Sequence, residues 1–414
     1  MQLIQSKKYN FTLYLNYTAV VYAFIIPLSR AGIGILTAMM ILLWLLEGGF
    51  KDKLNLYRKN KVIIFLILFL LLGFVSLLWT EDQQVSLYLQ RRYWYLFPLF
   101  IFMTSLQKEF IPKLLSAFIL GMFVSEVIAY GVFFELWSFM NATVANPSPF
   151  MHHIIYSIFL AFTALLLLNY IFNFHTLKYK IMYAFFFVTV TGNLFLTNGR
   201  TGQLAFLVGL FTLALLSFKH KLKAFLMTIL LGGVVFVVAF NISTTFKQRV
   251  LLGKSDLTQV IEKKNYCSSW GGRVGAWIVS QDIIKEDPLL GVGIQDNMKL
   301  FHEIIDEKHP SMKCMHHSFM HTHNQYLQIW TSLGFLGLFL FLAMFYALVR
   351  LPIKNKELHH IKYIYISILL FSFMPEVIWG RQFSLALTAL VFGILLAQNR
   401  VENESSSRES KTLA

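Results

Sequence analysis

The chain has 414 residues, 57% of them hydrophobic and 14% charged, with a mean hydropathy of +0.60. That balance excludes an ordinary soluble domain, whose core does not need so much apolar surface. The net charge of +15 does not point to nucleic acid, because basic residues beside membrane spans set orientation and must be read by position.

Apolar runs close to the roughly 20 residues that cross a bilayer recur along the chain. In order they are 11–29, 31–48, 62–79, 93–106, 112–134, 153–173, 181–197, 202–218, 224–241, 324–349, 362–378 and 384–398, which predicts an all-α polytopic membrane protein of about twelve transmembrane helices. The first run follows Lys7 and Lys8, but no small-residue cleavage site follows it, so it reads as a retained helix rather than a signal peptide. Alternate loops then collect lysine, from Lys51 and Lys53 through Lys178 and Lys180 to Lys354 and Lys356. These are the expected cytoplasmic loops, and both termini join them. The predicted organisation is an N-terminal bundle over 1–241, a long outer loop over 242–323, C-terminal helices over 324–398 and a disordered cytoplasmic tail over 399–414.

The short outer connections hold arginine and no lysine: Arg30, Arg91, Arg92, Arg200 and Arg381. The orientation rule treats the two residues alike, so it does not explain this partition. Bidentate grip on phosphate by a permanently charged guanidinium does, and anchoring at lipid headgroups is the alternative. Two acids, Glu126 and Glu376, fall inside predicted spans, where a carboxylate is costly. Glu376 has Arg381 close by in sequence as a pairing partner, or serves as a second base.

The long outer loop is partly helical by pattern. Arg273, Trp277 and Gln281 share one face of a helix over Gly272 to Lys285, which Pro288 and Gly291-Val292-Gly293 end. A second amphipathic stretch, Asp296 to Glu307, turns Phe301, Ile304 and Ile305 to one side, with Asp296 as N-cap. Both cysteines, Cys267 and Cys314, lie in this loop, where an oxidising compartment permits a disulfide; two unpaired thiols are the alternative.

At the return into the membrane stands His323-Asn324-Gln325-Tyr326-Leu327, with Gly334 and Gly337 in the next helix. Upstream come Asn198-Gly199-Arg200-Thr201-Gly202, then Gly272-Arg273 with Trp277, then Pro288-Leu-Leu-Gly-Val-Gly293. This ordered set, over roughly residues 190 to 340, resembles the bacterial O-antigen ligase family, which shares its domain with O-antigen polymerases and protein O-oligosaccharyltransferases. The resemblance implies a glycan transferase of the bacterial inner membrane. It would use an undecaprenyl diphosphate-linked donor, a lipid A-core acceptor and a periplasmic active site roofed by the long loop. Carried over residue by residue, it implies functional roles for Arg200, Arg273 and His323. Arg91, Arg92, Arg381, Trp277, Asn324 and Glu376 are expected substrate contacts.

The chemistry suits those residue types. Leaving diphosphate accumulates negative charge that Arg200 and Arg273 would stabilise without a metal, and the chain contains no Asp-x-Asp motif. The acceptor hydroxyl needs a base, which His323 supplies, so inversion by single displacement is expected with no cofactor. His316, His317 and His321 make a metal site the competing role for His323, although their spacing matches no common ligand pattern. Gly334 and Gly337 read as packing residues that let helices approach. A transporter is the alternative from another class, but no internal repeat supports it and the polar content gathers at one face.

Overall fold

The computed structural model describes residues 10–173, 176–315 and 319–412. Lys7 and Lys8, and His316 and His317 of the long loop, lie outside the described residues. The N-terminal part holds α1 (Phe11–Ile25), α2 (Arg30–Glu47), α3 (Phe50–Lys59), α4 (Lys61–Val75), α5 (Gln83–Arg91), α6 (Phe97–Ser105) and α7 (Ile111–Phe133). It continues through α8 (His153–Asn173), α9 (Leu177–Leu196), α10 (Arg200–Ser217) and α11 (Lys221–Ile242). The long loop carries α12 (Thr244–Lys263), α13 (Ser269–Glu286) and α14 (Asp296–Lys308), and the chain ends with α15 (Gln325–Arg350), α16 (Lys356–Ser372) and α17 (Gln382–Thr412). Among the described residues there is no strand, only an isolated bridge between Thr143 and Asn146.

Nine helices among the described residues are long and apolar enough to cross a membrane: α2, α4 with the turn after it, α7, α8, α9, α10, α11, α15 and α17. The other three expected spans correspond to α1, α6 and α16, of 15, 9 and 17 residues. At ~1.5 Å per residue each is shorter than the ~30 Å hydrocarbon core. Helix α8 is largely apolar around its circumference and sits at the centre, almost wholly buried against α9, α10 and α16. Helix α11, with 11% buried, lies at the edge and leaves its apolar residues to lipid.

The segment between α11 and α15 has a core of its own. Val279 and Ile283 of α13 pack with Met298, Phe301, Ile304 and Ile305 of α14 and with Met312 and Met315, so α14 meets α13 along the apolar face its periodicity assigns, while α13 uses a face other than that of Arg273, Trp277 and Gln281. Cys267 and Cys314 form a disulfide across 47 residues, with Cα atoms 5.8 Å apart. Closing such a loop stabilises it by about 4 kcal/mol in the chain-entropy model. Asp296 does not cap its own helix as expected. Its carboxylate instead accepts from the backbone N–H of Glu81 (2.7 Å) and Asp82 (3.4 Å), tying the loop to the start of α5.

A second tie explains Gly334. Gly334 breaks α15 with φ 64°, and a Cβ there would lie 2.1 Å from the Leu289 carbonyl oxygen. The backbone of the Pro288–Gly293 turn enters this break. Phe335 and Leu336 N–H donate to Pro288 and Leu289, while Val292 and Gly293 N–H donate to Thr331 and Ser332. The close approach expected of Gly334 is therefore to a loop and not to a neighbouring helix.

The end of the chain differs from expectation. Helix α17 runs on through residue 412, where polar composition suggested disorder. Glu402 accepts from the backbone N–H of Lys354 and Asn355, and Asn399 donates to the Pro352 carbonyl, so contacts with the α15–α16 connection extend the helix beyond its apolar part.

Candidate active site

Each residue of the His-Asn-Gln run has a distinct task. The Asn324 side chain accepts from Tyr326 N–H (2.9 Å) and Leu327 N–H (3.1 Å), the arrangement of an N-cap. It lines neither of the two cavities described below, and its oxygen is taken by the orphan donors of α15. Gln325 is buried and clamps the connection between α16 and α17. Its N–H donates to the Phe373 carbonyl and its Oε1 accepts from Trp379 N–H, both at 2.8 Å. His323 sits just outside the cap with φ 50°, a backbone conformation that costs a non-glycine residue about 1–3 kcal/mol. Its carbonyl accepts from Trp277 Nε1 at 3.4 Å, and Phe319 stands edge-on to its ring.

The clamped connection brings Glu376, 3% exposed, beneath His323. Glu376 Oε2 lies 3.5 Å from His323 Nδ1, and Oε1 accepts from the guanidinium of Arg273. Pairing with Arg381, the expectation from sequence proximity, is replaced by pairing with Arg273. Arg273 is fixed further by Nε to the Pro375 carbonyl (3.1 Å) and Nη1 to the Ser269 carbonyl (2.9 Å). Burial alone would raise the carboxyl pKa, but the neighbouring His323 and Arg273 hold it down at about 2. Glu376 is thus a carboxylate set on the Nδ1 side of the His323 ring. The long Nδ1 contact is of the kind that tightens when substrate fills a site.

Two cavities flank this Arg273–Glu376–His323 chain. The larger, about 1390 Å³, is lined by Arg30, Arg91, Arg92 and Arg381 with His321, His323 and Glu376, and by apolar side chains that include Leu70, Phe74, Phe97 and Phe100. The smaller, about 290 Å³, is lined by Arg200, Arg249 and Arg273 with Asn198, Trp270 and Trp277. The five arginines of the short connections therefore divide four to one between adjacent cavities. Arg200 owes its place to Gly202, whose N–H donates to Ser157 Oγ at 3.1 Å. A Cβ on Gly202 would lie 2.2 Å from the Ser157 backbone carbon, so only glycine lets α10 begin hard against α8.

Sequence reasoning missed Arg249, His152 and His153. His152 and His153 stand with ring centroids 4.0 Å apart, His152 on the larger cavity and His153 on the smaller. His321 accepts from the His323 N–H through Nδ1 at 3.3 Å. Burial, with His323 alongside, lowers its pKa to about 3, so it stays neutral. His321, His323 and Glu376 bring three ligand-type atoms within 4.8 Å of one another. The charge around them suits an anion better than a cation, since Arg273 already pairs with Glu376 and Arg381 faces His321. Glu126 lies apart, 2% exposed on α7, and neither carboxylate oxygen has a hydrogen-bond partner among the described residues.

Residues 185–342 match the family model described as O-antigen ligase. An uncharacterised protein of Haemophilus influenzae is 28% identical over 116 residues, which is 28% of this chain and 29% of that one. The chain thus spans under a third of that relative's length. Arg200, Arg249, Arg273 and His323 fall within the family match, whereas Arg30, Arg91, Arg92, Glu376 and Arg381 lie outside it. With its set of apolar helices the chain is a multi-pass membrane protein, and over residues 185–342 it is similar to the O-antigen ligase family.

Proposed function

We propose that the protein is an O-antigen ligase of the bacterial inner membrane, moving a glycan from undecaprenyl diphosphate to a hydroxyl of lipid A-core. In this reading the α12–α14 segment faces the periplasm and both termini are cytoplasmic. The acceptor hydroxyl gives its proton to His323 Nε2 as its oxygen attacks the anomeric carbon. The bond from that carbon to the diphosphate oxygen breaks, and the electron pair leaves on the diphosphate. Arg200 and Arg273 meet the developing charge with preorganised cations, so the chain's own residues stabilise the leaving group. Glu376 holds the imidazole and stabilises its protonated form, and the anomeric centre inverts.

The observation that carries this reading is the histidine–carboxylate–arginine chain set between two arginine-lined cavities. The combined arginine and apolar lining of the larger cavity suits an amphiphile with an anionic head. The same feature favours a polymerase as the second reading, since a carrier-linked repeat is such an amphiphile too. Reconstitution of the protein with carrier-linked glycan and lipid A-core tests the proposal. The wild type should form the covalent product, and His323→Ala should lose it by about 10³-fold or more while reaching the membrane. Product from the variant at the wild-type rate removes His323 as the base. Elongation of carrier-linked glycan in place of transfer to lipid A-core selects the polymerase.

A further inference from the structure

Arg249 has no place in the mechanism above, yet its setting is that of a ligand. Helix α12 is pinned at its start. Ser243 Oγ donates to the Phe195 carbonyl and accepts from Phe246 N–H, both at 3.1 Å. The buried Phe246 ring meets Phe195 and Phe236 at 5.1 and 5.5 Å. One turn on, Arg249 enters the smaller cavity, where its Nε donates to Asn198 Oδ1 at 3.2 Å. Asn198 is itself held, donating from Nδ2 to the Ala145 carbonyl at 3.3 Å.

The single anchor on Nε leaves the two terminal NH2 groups of Arg249 without a hydrogen bond or ion pair among the described residues. The Arg200 guanidinium likewise makes neither. Arg273, the third arginine of the cavity, is already engaged by Glu376, Ser269 and Pro375. Two cations in a small cavity, facing each other and Arg273 with Asp256 as the carboxylate nearby, repel one another unless an anion joins them. Asp256 is partly occupied elsewhere, accepting from Trp270 N–H at 3.4 Å.

We infer that Arg249 is a further phosphate ligand, paired with Arg200 across the smaller cavity, and that the pair selects a prenyl diphosphate over a prenyl monophosphate. This rests on the proposed carrier-linked donor. Arg200 and the forked NH groups of Arg249 each take one phosphate of the diphosphate, and a lone phosphate is served by Arg200. One phosphate satisfies one guanidinium, and a diphosphate satisfies both.

The test uses the full chain in detergent, with farnesyl diphosphate and farnesyl monophosphate as probes. The wild type should bind the diphosphate more tightly. Arg249→Ala should weaken the diphosphate by about tenfold or more, the loss expected for a charge-assisted contact, and leave the monophosphate nearly unchanged, so that selectivity collapses. Arg249→Lys, which keeps the charge and α12 packing, should recover part of the selectivity. Unchanged diphosphate binding in Arg249→Ala, or equal loss for both probes, overturns the inference. Failure of the wild type to bind either probe overturns the carrier-linked donor as well, which separates the two claims.

Discussion

The two cavities share a wall, the Arg273–Glu376–His323 chain, and differ in almost everything else. The smaller is confined, lined by Trp270 and Trp277, and carries all its arginines on the segment that matches the family. The larger reaches apolar side chains of α4 and α6 and carries its arginines on connections outside the match. The contrast separates two physical tasks. A confined cationic pocket stabilises charge that develops during reaction, whereas a wide amphipathic one recruits a molecule that is already charged and already in the membrane. In the proposed reading, changes in the smaller cavity alter the rate of the chemical step, and changes in the larger alter occupancy.

Three variants sharpen or break that contrast. The largest effect is expected for Arg200→Lys, which keeps the charge but loses two parallel hydrogen bonds. Its kcat should fall by about 10²–10³-fold, and a wild-type kcat would turn Arg200 into a headgroup anchor. On the shared wall, Glu376→Gln should lower kcat by about tenfold to a hundredfold and should also flatten the acid side of the stability profile. The Glu376 pKa is about 2 in the folded protein against an ordinary value of 4.5, so ionisation contributes stability that is present above pH 4.5 and lost as pH falls toward 2. Thermal midpoints over that window should converge for variant and wild type as pH falls, and parallel curves would contradict the pairing. The smallest effect is expected for Arg92→Ala with Arg381→Ala, which should raise the KM for the acceptor by about tenfold with kcat retained. A fall in kcat alone would merge the roles of the two cavities.

Hydropathy alone carried most of the helical framework, because apolar length is the same signal whether a helix faces lipid or the bundle. It did not separate α1, α6 and α16 from the longer helices, since packing lets a short apolar helix sit among long ones. The two amphipathic helices of the long loop were legible for the same reason of periodicity, while α12, with basic and apolar residues interleaved, was not. Arg200, Arg273 and His323 were singled out by motif and chemistry. Their neighbours were settled by tertiary contact: Arg381 is closer to Glu376 in sequence, but the Gln325 clamp turns Glu376 toward Arg273, 103 residues away. Asn324 did carry a readable signal, an asparagine immediately before an apolar helix, which is a common N-cap. Arg249 carried none, because on a helix with Lys247 and Lys254 its charge looks solvated until Asn198 is seen beside it.

The anomeric configuration of the transferred sugar, compared between the carrier-linked donor and the product by NMR, tests the central claim most directly. Attack by a hydroxyl that His323 deprotonates, opposite a diphosphate held by Arg200 and Arg273, predicts inversion. Retention of configuration would require a covalent glycosyl–enzyme intermediate and would contradict the roles given to all three residues.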